Sequence, residues 1–222
     1  METNAEVATQ APSATKLVAW ANQVRISAIP AAITSLLAGL GLFKFGQLYS
    51  EYAYHPATFG AADALWTIGA LISLVAMLMA STWATVATIG FQFRALQFAV
   101  AKGMVLRAKP GMYIAYWFIP IANLIMPLFG FRDMVRFASA AQTKRQRLTL
   151  ITSAWVVLFV VHVASSIGGQ ISNPSNPTVP EVIAAIGLFA GVTALQSVPY
   201  ILFRNFAAEL TGDLLANPTA TD

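Results

Sequence analysis

The sequence predicts an all-α membrane protein, a polytopic bundle of four spanning helices with one additional proline-broken segment. Of its 222 residues, 57% are hydrophobic and only 10% are charged, whereas a soluble domain carries about 25% charged residues. The apolar residues also form runs of about 20, the length that a helix needs to cross a bilayer. Because these runs are apolar on every face, they indicate helices rather than the alternating strands of a β-barrel.

Four runs are long enough to span the membrane: 26–48, 64–90, 148–169 and 181–203. They belong to one predicted membrane domain, residues 16–210. The polar residues 1–15 are expected to form a disordered N-terminal tail, and residues 211–222 a C-terminal tail.

A fifth apolar run, 111–130, contains Pro120 and Pro127. Proline lacks an N–H and clashes with the carbonyl four residues earlier, so it breaks or kinks a helix. Irregular backbone at membrane depth must be shielded by protein or water. We therefore predict a re-entrant or interfacial broken segment here; a kinked fifth span is the alternative.

The basic residues predict the topology. The predicted loops 50–63 and 170–180 contain no Lys or Arg. If the segment 111–130 returns to the side from which it enters, twelve of the thirteen basic residues lie on one side, and Lys44 is the exception. Cytoplasmic loops are enriched in Lys and Arg. We therefore expect four crossings, with both termini in the cytoplasm. The same distribution of Lys and Arg accounts for the net charge of +4, so we expect no nucleic-acid partner.

The broken segment carries a recognisable pattern: a proline-glycine pair, then Trp-Phe-x-Pro-x-x-Asn-Leu, a further proline and a basic helix. In this chain the pattern consists of Pro110, Gly111, Trp117, Phe118, Pro120, Asn123, Leu124, Pro127, Arg132 and Arg136. Together with the upstream helix around Arg94, it resembles the bacterial membrane-protein family called domain of unknown function 4328. The close resemblance covers residues 91–137. It implies a multi-pass protein of the bacterial cytoplasmic membrane and implies no activity.

Few residues are candidates for chemistry. The chain has no cysteine, and no catalytic, metal-binding or cofactor-binding constellation is apparent, so we expect no cofactor and no enzymatic activity. His162 is the one ionisable residue well inside a predicted span, and ionisable groups there are costly to bury. The family-type residues that we single out as candidates for function are Arg94, Trp117, Pro120, Asn123, Pro127, Arg132 and Arg136.

Two functional hypotheses follow. Small residues recur at four-residue spacing, as in Gly187 and Gly191, and such spacing lets helices approach closely. The first hypothesis is therefore a non-enzymatic accessory, scaffolding or assembly partner that binds the lipid bilayer and other membrane subunits, or itself. The alternative is a small transporter or channel-like protein that uses the break at Pro120, Asn123 and Pro127, since broken helices form substrate sites in transporters.

Overall fold

The structure, a computed structural model, describes residues 13–55, 60–123, 125–171 and 178–216, without the side chains of residues 120, 121, 141, 162 and 165–171. Of the described residues, 91% are helical and none forms a strand. The helices are α1 (Ala14–Tyr54), α2 (Ala61–Ala101), α3 (Pro110–Phe118), α4 (Pro120–Asn123), α5 (Met126–Ala138), α6 (Ala141–Ile171), α7 (Val179–Leu195) and α8 (Ser197–Ala216). The all-α prediction is confirmed.

Three helical stretches in the described part of the chain are long and apolar enough to cross a membrane: α1, α2, and α7 with α8 taken together. Each covers one of the predicted spans. The remaining span, 148–169, lies within the 31-residue helix α6, and its crossing stays a prediction. Helices α1 and α2 have 41 residues each. At 1.5 Å per residue they are roughly 60 Å long, about twice the thickness of the hydrocarbon layer.

The chain divides into two compact units. The first, called here the basic unit, comprises Met1–Ala28, Trp83–Trp155 and Leu202–Asp222; the second, the apolar unit, comprises Ile29–Thr82 and Val156–Ile201. Twelve of the thirteen basic residues belong to the basic unit, and Lys44 alone belongs to the apolar unit. These are the same twelve residues that the charge pattern assigns to one side of the membrane.

Aromatic and aliphatic side chains from four helices form the core of the basic unit. The residues with at most 1% exposure include Phe91 and Leu96 of α2, Phe131 and Met134 of α5, Ile151 of α6, and Phe206, Leu210 and Leu214 of α8. Helix α8 thus continues to Ala216, beyond the boundary expected for the C-terminal tail at residue 211. The continuation follows from the four-residue spacing of Leu210 and Leu214, which places both side chains on the buried face.

Gly103 ends α2 in the basic unit. Its φ of 93° is a conformation that glycine adopts without the clash that a Cβ causes. The N–H of Gly103 donates to the carbonyl oxygen of Val100 at 2.9 Å, and the N–H of Met104 donates to the carbonyl oxygen of Ala99 at 2.9 Å. This pair of hydrogen bonds is the pattern of a Schellman motif. The Lys102 ammonium donates to the carbonyl of Leu214 at 3.1 Å, so the turn after α2 also caps the last turn of α8.

Close helix contacts hold the apolar unit together. A Cβ at Gly39 would lie 2.8 Å from the carbonyl oxygen of Ala190, and one at Gly41 would lie 3.1 Å from the Cα of Ala70. Glycine at these positions lets α1 approach α7 and α2. Large apolar side chains also face outward from this unit, among them Leu40, Leu71 and Met79, which are 66%, 58% and 71% exposed. An exposed apolar surface of this kind suits a lipid environment.

Candidate functional site

The helix is interrupted twice within the segment 111–130. Pro110 occupies the first turn of α3, where its missing N–H costs nothing. The backbone becomes extended at Ile119, with φ −96° and ψ 114°, as the steric restriction on a residue before proline requires. A second interruption precedes Met126, and Pro127 then lies in the first turn of α5. Helices α3, α4 and α5 pack against one another, and the predicted break is confirmed.

Gln92 of α2 bridges the two sides of this break. It is 1% exposed. Its Nε2 donates to the carbonyl oxygen of Pro127 at 2.7 Å, and its Oε1 accepts from the indole Nε1 of Trp117 at 2.7 Å. A buried carboxamide is costly unless its polar atoms are bonded. We call this arrangement the Gln92 lock, because one side chain joins α2 to the end of α3 and the start of α5.

Gly130 and Tyr113 complete the surroundings of the Gln92 lock. A Cβ at Gly130 would lie 2.8 Å from Gln92 Nε2 and 2.9 Å from Cδ1 of Tyr113, so only glycine leaves room here for both side chains.

An aromatic cluster extends from the lock. The rings of Trp117 and Trp155 meet edge to face with centroids 5.7 Å apart, and those of Trp155 and Phe203 are 6.1 Å apart. Phe131 continues the chain of contacts to Phe203 at 5.9 Å and to Phe206 at 5.4 Å. Edge-to-face pairs add about 0.5–1.5 kcal/mol each beyond the burial of their area. Trp117 thus connects the broken segment to α6 and α8.

The other predicted residues of the break have separate environments. Asn123 is the last residue of α4 and is half-buried; within the described part of the chain its carboxamide makes no hydrogen bond. Pro120 begins α4, but its side chain lies outside the described residues, as does the whole of Leu124. His162 lies in α6, and its side chain is likewise outside the described part.

The three predicted arginines have different surroundings. Arg94 donates to Gln97 on its own helix at 3.0 Å. Arg136 lies 3.8 Å from the Asp133 carboxylate, which Arg107 also approaches at 3.6 Å. The Nε of Arg132 is buried and has no hydrogen-bond partner within the described residues. The candidacy of these arginines for function stays a prediction.

Sequence reasoning missed Gln92, although a signal was present. Thr88, Gln92, Ala95 and Ala99 fall at helical spacing, and all four are buried. A glutamine on the same face as small buried residues requires a hydrogen-bond partner from a neighbouring element. The partners could not be predicted, because they depend on how α2 packs against the broken segment, which no local pattern contains.

The site contains hydrogen-bonding and packing groups rather than an acid–base constellation. Within the described residues, no group of three or more His, Asp or Glu side chains could hold a metal ion. Together with the helices of membrane-spanning length, these features define the class: an α-helical membrane protein with a hydrogen-bonded break in its backbone.

The chain belongs to the family described as Domain of unknown function (DUF4328), whose sequence model matches residues 50–204. The resemblance seen in the sequence is thereby confirmed, and the match includes the Gln92 lock and the whole broken segment. No curated protein and no solved structure matches the chain.

Proposed function

We propose that this protein is a non-enzymatic accessory or assembly partner in the membrane, and that α7 is the helix with which it contacts a partner. The observation that carries this proposal is the open surface at Gly187 and Gly191. A Cβ at either position would meet no atom of the described residues within 4 Å. At Gly39 and Gly41 of the same apolar unit, by contrast, neighbouring helices occupy the space where a Cβ would lie.

Other positions of α7 pack within the apolar unit, where Ala185, Ala190 and Val192 are buried. A Cβ at either glycine would touch no described atom, so packing inside this unit does not require glycine there. In a membrane a Gly-x-x-x-Gly pair lets a second helix approach closely and gain van der Waals contacts that lipid chains do not supply. A transmembrane helix of another subunit fits this surface.

The test is purification from native membranes in mild detergent. The wild-type chain is expected in a stoichiometric complex, and the double variant Gly187→Leu/Gly191→Leu is expected to lose the partner while keeping its thermal stability. Gly69→Leu is the matched control, because Gly69 is equally open but lies on α2. The proposal would be contradicted if the wild-type chain purified as a monomer. It would also be contradicted if only the control variant Gly69→Leu lost the partner.

A second candidate, a small transporter or channel-like protein, is favoured by the Asn123 carboxamide, which makes no hydrogen bond to any described residue. Unpaired polar groups at a break in a membrane helix can line a polar path. In proteoliposomes, potassium or proton flux that Asn123→Ala abolishes, but Asn205→Ala retains, would support it. Asn205 is a suitable control because it is an exposed asparagine of α8. Absence of flux with the wild-type protein would count against this candidate.

A further inference from the structure

The outer face of α6 in the basic unit borders a wide, shallow space of about 590 Å³, which we call the groove. Two rows of side chains at four-residue spacing line it: Lys144, Leu148 and Thr152 in one row, and Arg145, Thr149 and Ser153 in the other. Each row begins with a cation and ends with a hydroxyl eight residues later. At 1.5 Å per residue the two ends of a row are roughly 12 Å apart.

The cations of this groove are not neutralised within the described part of the chain. The nearby Arg147 points to the other side of α6, is 13% exposed, and pairs with Glu209 and with Asp213 at 3.3 Å. No described carboxylate pairs with Lys144 or Arg145. The described residues of the basic unit contain twelve Lys and Arg but only Asp133, Glu209 and Asp213 as acids, so the unit as a whole favours an anion.

The hydroxyls at the far end of the groove are also available. Thr149 donates to the backbone carbonyl of Arg145 at 2.9 Å, as serine and threonine commonly do within helices. The side chains of Thr152 and Ser153 form no hydrogen bond within the described residues. Both can therefore donate to oxygens of a ligand that lies along the groove.

The position of the groove indicates the source of the anion. Lys144 and Arg145 directly precede the apolar run 148–169, so they lie where a polar flank meets a predicted span. In a membrane this is the level of the lipid headgroups, where basic side chains bind anionic lipids. We infer that the groove binds the phosphodiester headgroup of an anionic membrane lipid: the phosphate on Lys144 and Arg145, and the glycerol and ester oxygens on Thr152 and Ser153.

The experiment measures binding of short-chain lipids to the full-length protein in uncharged detergent, by native mass spectrometry and by the shift in Tm. The probes are dioctanoyl phosphatidylglycerol, dioctanoyl phosphatidylcholine and inorganic phosphate. We expect the phosphatidylglycerol to bind and raise the Tm. The variant Lys144→Ala/Arg145→Ala should weaken its binding about 30-fold, since each basic residue near a membrane surface contributes about a factor of five.

The matched control is Lys16→Ala/Arg25→Ala, which removes the same charge from two exposed positions of α1. It should weaken binding less than about threefold by long-range electrostatics. An equal loss in both double variants would overturn the proposal, because the attraction would then be diffuse. Equal binding of phosphatidylcholine would also overturn it, as would full competition by inorganic phosphate, which would make the site one for free phosphate.

Two further variants keep the proposal testable if removal of the cations disturbs folding. Lys144→Gln/Arg145→Gln retains polar side chains of similar length, and its unliganded Tm is compared with that of the wild type. Thr152→Val/Ser153→Ala leaves the charges in place and should lower the affinity for the lipid severalfold without changing the weak binding of phosphate. Unchanged lipid affinity in both of these variants would contradict the assignment.

Discussion

Gln92 is the residue on which the broken segment depends most directly. Replacing it with alanine removes both hydrogen bonds of the lock and leaves the Pro127 carbonyl and the Trp117 indole without their partner. Each buried polar group that loses its partner costs about 1–3 kcal/mol. We expect Gln92→Ala to lower the Tm strongly in a thermal melt in detergent.

The control for this change is Gln97→Ala, which removes only the half-buried contact with Arg94 on the same helix. Gln97→Ala should lower the free energy of unfolding by less than about 1 kcal/mol. If the two variants melt at the same temperature, the Gln92 lock does not stabilise the fold.

Gly130 and Gly111 form a second matched pair. The Cβ introduced by Gly130→Ala would overlap Gln92 and Tyr113, whereas a Cβ at Gly111 would meet no described atom within 4 Å. Both glycines are helical, so the gain of about 0.5–1 kcal/mol from the lower backbone entropy is common to the two. We expect Gly130→Ala to lower the Tm and Gly111→Ala to leave it unchanged or raise it; the reverse order would contradict the packing described here.

Among the elements, α6 and α8 of the basic unit are joined by a partly buried ion network. Arg147 forms ion pairs with Glu209 and with Asp213, and Asp213 also accepts from the Ser139 hydroxyl at 2.5 Å. Arg147→Met would leave two partly buried carboxylates without their cation. Removal of one partner of a buried ion pair lowers the free energy of unfolding by about 3–5 kcal/mol. Because these two carboxylates are 31% and 19% exposed, we expect a loss at the lower end of that range.

The loss of stability is measured as a fall in Tm. The control variant is Arg25→Met, which replaces an exposed arginine of α1. This control should change the free energy of unfolding by less than about 0.5 kcal/mol. A small effect of Arg147→Met would show that the ion pairs do not stabilise the contact between α6 and α8.

The sequence predicted the elements better than their connections. Runs of apolar residues located α1, α2 and α7, and the two prolines located the break, because both features act through local sterics and solvation. Gln92 donates to Pro127, 35 positions away, and accepts from Trp117, 25 positions away. Such pairings depend on how helices pack, which no local pattern contains.

At the scale of the whole molecule, one compact unit carries nearly all of the positive charge. The same twelve basic residues that the topology argument places in the cytoplasm belong to the basic unit. The apolar unit contains the outward-facing Leu40, Leu71 and Met79. Such a separation of charge from apolar surface is what the enrichment of Lys and Arg in cytoplasmic loops predicts for a protein inserted in one orientation.

The central claim about the molecule is that the segment 111–130 returns to the side of the membrane from which it enters. The absence of cysteine allows the claim to be tested with single cysteines and a membrane-impermeant thiol reagent. Ala101→Cys and Ala140→Cys flank the segment at exposed positions, and Glu51→Cys lies at the exposed end of α1. We predict labelling of residues 101 and 140 from the cytoplasmic side only, and of residue 51 from the opposite side only. Labelling of residues 101 and 140 from opposite sides would show that the segment crosses, and the four-span topology would be wrong.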